Sequence, residues 1–146
     1  MTTEPLFLDN GIVFTVPGQP APQGSMRAFA HKSTGRVIMT ADNKKTGPWR
    51  DRVALAAQTA MAGRPIYTAA VSVCIDFVLT RPKSAPKRTT PKASKRPDVD
   101  KLARACLDAL TGVVLHDDSL VVNLHVCKRI AEIDEGPSAT IRIELD

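Results

Sequence analysis

The chain has 146 residues, of which 43% are apolar, and a formal net charge of +5. That is enough for one compact domain with a real core and too little for two. No run approaches the ~20 apolar residues of a membrane span, and MTTEPLFLDNGIVFTV lacks the basic-then-apolar order of a secretory signal, so a cytoplasmic location is expected. Cys74, Cys106 and Cys127 are odd in number, far apart and set in apolar segments. That usage predicts buried, reduced thiols rather than disulfides or metal ligands.

Residues 11–17, GIVFTVP, read as a short strand ending at Pro17. The next stretch, PGQPAPQGSMRAFAHKSTGR, reads as a Gly/Pro-rich loop carrying Arg27, His31, Lys32 and Arg36. In NKKTGPWRDRVALAAQTAMAGRP, Thr46 suits an N-cap and Pro48 the first helical turn. Trp49, Val53, Ala56, Ala57, Ala60 and Met61 then recur at helical spacing, which makes Trp49 a core residue, and Gly63-Arg64-Pro65 stops the helix. Residues 69–80 alternate, with Val71, Val73, Ile75, Phe77 and Leu79 on one face of a half-buried strand. A second helix is predicted over 101–111, followed by strands at 120–127 and 139–145. The order β, loop, α, β, arm, α, β, β predicts a single α+β domain over 1–146, with a small mixed sheet and two helices.

The arm is the segment 81–97, RPKSAPKRTTPKASKRP, with Arg81, Lys83, Lys87, Arg88, Lys92, Lys95 and Arg96 and no acid. Without those seven, 13 basic residues face 15 acidic ones, so the positive excess sits entirely here. Four prolines exclude helix or central strand and favour an extended, solvated arm. Such a strap suits a polyanion, because each cation placed on a phosphate releases a condensed counterion. Lys101, Arg27, Lys32, Lys44 and Lys45 are further candidates for phosphate contact.

Acid is concentrated just beyond the arm, in RPDVDKLARACLDALTGVVLHDDS, at Asp98, Asp100, Asp108, Asp117 and Asp118. Pro97 biases Arg96 away from helix, so the helix is expected to begin after Asp98. Asp98 and Asp100 would then converge at its mouth. A capping role needs only one of them. Asp117 and Asp118 form a second pair before a strand, and at most one of two adjacent residues can face the first pair. The Gly and Glu of an EF-hand loop are missing: Ala103 and Ala109 stand at those places. Packed carboxylates repel unless a cation neutralises them. Hard oxygen ligands suit Mg²⁺, with Mn²⁺ as a substitute, and such an ion can polarise a phosphodiester and activate water. Acid set within a basic surface therefore points to metal-dependent phosphate chemistry.

The same stretch resembles the RusA family of Holliday-junction resolvases of phages and prophages. That family carries D-x-D-N-L-x-K-x-x-x-D-A-L at a helix start, then a short loop and D-D-x-x-V. Asp98, Val99, Asp100, Leu102, Asp108, Ala109, Leu110, Asp117, Asp118 and Val121 stand at matching places. VPGQPAPQGSMR and the helix opening near WRDRV fit the family more weakly. The resemblance implies a mixed α/β homodimer that cleaves four-way DNA junctions with Mg²⁺. It also implies that Asp98, Asp100 and Asp118 are the essential acids, with Asp117 nearby. Two positions depart from it: Lys101 stands for the usual Asn, and Arg104 for the usual Lys. Arg104 keeps the charge one turn from Asp100 but cannot donate its proton, so activity survives if the family lysine works by charge. An ion pair of Arg104 with Asp100 or Asp108 is the competing account. His116, beside Asp117, reads as a solvated loop histidine more readily than as a metal contact, and His31 and His125 have no partner at ligand spacing. Two other functions remain open: a metal-dependent nuclease for flaps or forks, and a DNA-binding protein without catalysis.

Overall fold

The computed structural model describes residues 11–24, 26–30, 37–41 and 44–146. In chain order these form β1 (Gly11–Pro17), β2 (Met26–Ala30), β3 (Val37–Ala41), α1 (Thr46–Met61), β4 (Val71–Leu79), α2 (Val99–Leu110), β5 (Val121–Ile130) and β6 (Ser138–Leu145). The main sheet runs β1-β6-β4-β5. β6 is antiparallel to both its neighbours, whereas β4 and β5 are parallel. A parallel pair needs a long crossover; the arm and α2 supply it. The domain is α+β with a mixed four-stranded sheet and two helices, as the sequence predicts.

Alternation decides which face is buried. Ile75 pairs with Ile141 on one side and Val126 on the other, and Val73 with Ile143 and Leu124. Because side chains alternate along each strand, these rows share one face with Ile12 and Val16 of β1, and both helices cover it. Trp49, Val53, Ala57 and Met61 of α1, with Leu102, Ala105, Cys106 and Leu110 of α2, complete the core. Fully burying one such large side chain stabilises by roughly 1.5–3 kcal/mol. α1 lies over β1 and against α2, and α2 lies towards β5. Among the described residues no helix covers the opposite face, where Cys74, Asp76, His125, Cys127 and Arg142 stand.

Four local expectations change. The Gly/Pro-rich loop contains a hairpin, with β2 antiparallel to β3. Arg27 sits on β2; its side chain, like the whole of His31, Lys32 and Arg36, lies outside the described residues. Thr46 is not the cap of α1: Lys45 holds that place, and the buried Thr46 hydroxyl donates to the Pro22 carbonyl at 2.6 Å. A tertiary acceptor has claimed the group that local chemistry assigns to capping. Only Cys106 is buried; Cys74 is half-buried and Cys127 exposed, because both lie on the uncovered face. Burial pushes the Cys106 thiol up to about 12. The Cys127 thiol donates to the Asp76 carboxylate at 2.7 Å, which pushes it up to about 11. Both are poor nucleophiles at neutral pH.

The arm is the fourth. It has no regular structure, but it is a pinned loop rather than a free strap. The Arg81 guanidinium donates to Thr90 Oγ1 (2.9 Å), to the carbonyls of Thr89 (2.7 Å) and Ala131 (3.2 Å), and to that of Pro86. Thr90 in turn donates to Glu132. One of the seven basic groups thus ties the loop shut, while Lys83, Lys87, Arg88, Lys92, Lys95 and Arg96 stay exposed.

Candidate functional site

α2 forms because Leu102, Ala105, Cys106, Ala109 and Leu110 make one apolar stripe at helical spacing. Its start is fixed from outside. The Lys128 ammonium of β5 donates to the carbonyls of Lys95 and Pro97, each at 2.8 Å. On the other side the Gln23 N–H donates to the Lys101 carbonyl at 2.9 Å. Asp98 holds the N-cap place with extended backbone, yet its side chain makes no capping hydrogen bond. The helix begins after Asp98, as the sequence predicts, but capping does not explain the acid.

The loop after α2 is fixed just as firmly. Val114 and Leu115 are fully buried, and their N–H groups both reach the Leu110 carbonyl. The Tyr67 N–H donates to the Val114 carbonyl, and the His116 N–H to the Tyr67 carbonyl. From this anchored turn the chain enters a 3₁₀ turn at Asp118–Leu120. Asp117 caps that turn, accepting from the Ser119 N–H at 2.9 Å. The Ser119 side chain, then its N–H, hold the Asp117 carboxyl below its ordinary value. Of the adjacent pair, Asp117 is engaged in the turn and Asp118 is left for another task.

That task has a place. Asp100 and Asp118 line one groove of about 460 Å³ between α2 and the β5 edge, together with Arg104 and the apolar Val99, Ala103, Leu107, Leu124 and Val126. Arg104 is exposed and, among the described residues, makes no ion pair. Asp108 pairs with Arg50 of α1 instead, at 3.9 Å, so the predicted competition for Arg104 is absent. The guanidinium is free to meet an oxyanion beside the two carboxylates.

Asp98 is not in that groove. It faces Lys101, whose Nζ is 3.9 Å from Oδ2, and lines a neighbouring cavity with Lys44, Lys45, Arg52, Arg96 and Lys101. Among the described residues no group of three or more His, Cys, Asp or Glu side chains is arranged to hold a metal ion. His116 and His125 are exposed and belong to neither recess. Sequence reading missed Lys128, which fastens the helix mouth, and Arg52. The signal for Arg52 was its spacing of three from Trp49, over whose ring it lies at 5.4 Å.

Residues 17–144 match the family described as Endodeoxyribonuclease RusA. The chain belongs to that family. It is also 36% identical over 132 residues to the uncharacterized protein YqaN of Bacillus subtilis (strain 168), covering 83% of this chain and 89% of that protein. Family membership makes an endodeoxyribonuclease the activity to explain. Among the described residues no helix is long and apolar enough to cross a membrane.

Proposed function

We propose that this RusA-family protein is a Mg²⁺-dependent endodeoxyribonuclease that resolves four-way DNA junctions as a homodimer by paired phosphodiester hydrolysis. The observation that carries the reading is the groove in which Asp100, Asp118 and the unpaired Arg104 stand together. Mg²⁺ is ordinarily held by one or two carboxylates, its other places taken by water and substrate phosphate. Two groove carboxylates therefore suit it, and Mn²⁺ can stand in. When bound, the ion supplies Lewis acidity and an activated water.

The chain's own residues do the rest. Arg104 offers a planar fork to two phosphate oxygens and offsets charge that builds during cleavage. Asp98 joins the acids by turning away from Lys101; that pair is 39% and 54% exposed, and such contacts are worth about 0–1 kcal/mol. Asp117 keeps Asp118 aimed through its turn. Lys83, Lys87, Arg88, Lys92, Lys95, Arg96, Lys101 and Arg27 hold the backbones of the branched substrate, which phosphate contacts position without reading sequence.

Support for a homodimer comes from β5. It is a ten-residue edge strand with Val122 and Leu124 exposed, and proteins seldom leave such an edge uncovered. A two-fold partner would also present two identical grooves to two symmetric scissile bonds. The decisive experiment incubates the protein with a synthetic four-way junction and a matched duplex, with Mg²⁺ or EDTA. Paired nicks in the junction alone, abolished by EDTA, are expected. Cleavage of flaps or forks in preference would move the substrate within branched DNA, and cleavage undiminished in EDTA would overturn the reading.

A further inference from the structure

Of the two recesses beside α2, the one next to Asp98 is the larger. Its volume is about 770 Å³, inside the 300–1,000 Å³ range of small-ligand clefts. Five cations line it from three parts of the chain: Lys44 and Lys45 before α1, Arg52 within α1, and Arg96 and Lys101 around the start of α2. One acid, Asp98, stands among them. The remaining wall is largely apolar, made by Pro20, Ala21, Pro22, Pro48 and Pro97. Cations opposite an apolar wall suit a ligand with a phosphate at one end and a flat, weakly polar body at the other.

Arg52 is held ready for that role. Its guanidinium lies over the fully buried Trp49 ring. It also lies against Gly18, where a β-carbon would come within 2.6 Å of Nη1. Gly18 has φ +112°, so glycine is required both by the backbone and by the arginine laid on it. A side chain fixed this way gives up little freedom on binding. On the same wall the Gln23 side-chain oxygen is buried and, among the described residues, accepts no hydrogen bond.

We propose that this cavity receives one unpaired nucleotide of a DNA strand, with its phosphate on Arg52 and the lysines and its base against the proline wall. A duplex is too broad to enter, whereas a branch point offers nucleotides released from stacking at little cost. Asp98 lines the cavity and Asp100 the acidic groove, so a strand seated in the first is led to the second over two residues. Selection for branched DNA would then reside in the cavity and not in the arm. The proposal rests on DNA being the substrate, and its test needs no metal and no cleavage.

Binding is measured in EDTA to a short oligothymidylate, to a matched duplex, and to a junction carrying 2-aminopurine at its centre. Lys44→Ala combined with Lys101→Ala removes two cations with little packing to lose. It should weaken oligothymidylate binding by roughly a hundredfold, about tenfold per charge-assisted contact, and duplex binding far less. The 2-aminopurine fluorescence should rise on binding to the unaltered protein and stay flat with the variant. Arg52→Ala should act likewise, and if it lowers thermal stability the double variant alone decides. An unchanged oligothymidylate affinity, or an equal loss on oligothymidylate and duplex, would overturn the proposal. Absence of junction cleavage with Mg²⁺ would sink the nuclease reading and leave the binding result standing.

Discussion

The two sides of the first turn of α2 carry opposite charge. Towards β5, Asp100 and Asp118 stand with one cation, Arg104; towards α1, Asp98 stands among five. They differ also in how they are built. The acidic side hangs on backbone anchors, namely Lys128 on the Lys95 and Pro97 carbonyls and the Tyr67 bridge to the turn before Asp118. The basic side adds the side-chain stacking of Arg52 on Trp49 to two hydrogen bonds, from the Gln23 N–H to the Lys101 carbonyl and from the Thr46 hydroxyl to the Pro22 carbonyl. A phosphate moved across this turn would meet attraction first and chemistry second. On the proposed reading, binding and cleavage are separable here by substitutions only two residues apart.

The largest effect should come from the acidic side. Asp100→Asn and Asp118→Asn keep shape and remove charge, so each should cut junction cleavage by roughly a thousandfold, the scale of losing a group aimed at reaction charge. Binding in EDTA should be unchanged or tighter, since a repelling charge is gone. Asp98→Asn should also abolish cleavage if it turns into the groove; retained activity would confine Asp98 to the basic cavity. Asp117→Asn should do less than Asp118→Asn, because the amide oxygen still accepts from Ser119. The lowered Asp117 value fixes the sign of its pH effect. Its support for the turn is complete above the unfolded value, 3.8, and is lost as pH falls through the lower folded one.

Arg104 sharpens the same comparison. Without an ion pair to lose, Arg104→Ala should leave the thermal midpoint unchanged while cutting cleavage by roughly a hundredfold, about 2.7 kcal/mol. Arg104→Lys should retain substantial activity, because the charge remains beside both acids. A fully active Arg104→Ala would assign charge stabilisation elsewhere. A variant that loses stability and activity together would make Arg104 a structural residue.

How much of this was legible follows from what each signal measures. Apolar period gave α1, α2 and β4 to within two residues, Asp98 and Asp100 were visible as acids at a helix mouth, and only the family resemblance singled out Asp118 from its pair with Asp117. Which recess each acid enters was not visible, because it depends on Lys101 and on a turn fastened to Tyr67, far away in sequence. The β2–β3 hairpin was hidden because MRAFA and VIMTA are short and flanked by Gly, Ser and Lys. Composition counted Arg81 with the arm's free cations, although its four acceptors make it the pin of that loop. Arg52 carried no charge-run signal, since its role comes from Trp49 and Gly18.

The arm predicts a smaller, unselective effect. Changing Lys83, Lys87, Arg88 and Lys92 to Ala should weaken binding to junction and duplex alike. The slope of log affinity against log salt should shrink by about 0.9 for each phosphate that the protein no longer neutralises. A loss confined to the junction would move shape selection from the cavity to the arm, and an unchanged slope would leave the loop without a role in binding. Arg81→Ala should instead raise hydrogen exchange across 82–95 with little direct effect on charge steering.

The smallest effect belongs to Asp108, the second carboxylate within α2 and a control for Asp100. It lies two turns from Asp100 on the same helix, yet it pairs with Arg50 at 3.9 Å and lines neither recess. The two side chains are 40% and 37% exposed, and an ion pair so open to solvent is worth about 0–1 kcal/mol. Asp108→Asn should therefore shift stability by no more than about 1 kcal/mol and leave cleavage within a few-fold of the unaltered protein. Chemical denaturation and a junction-cleavage time course read both quantities. Equal losses from Asp108→Asn and Asp100→Asn would mean that acidity along α2, and not placement in the groove, supports the reaction. The division between the two sides of its first turn would then fail.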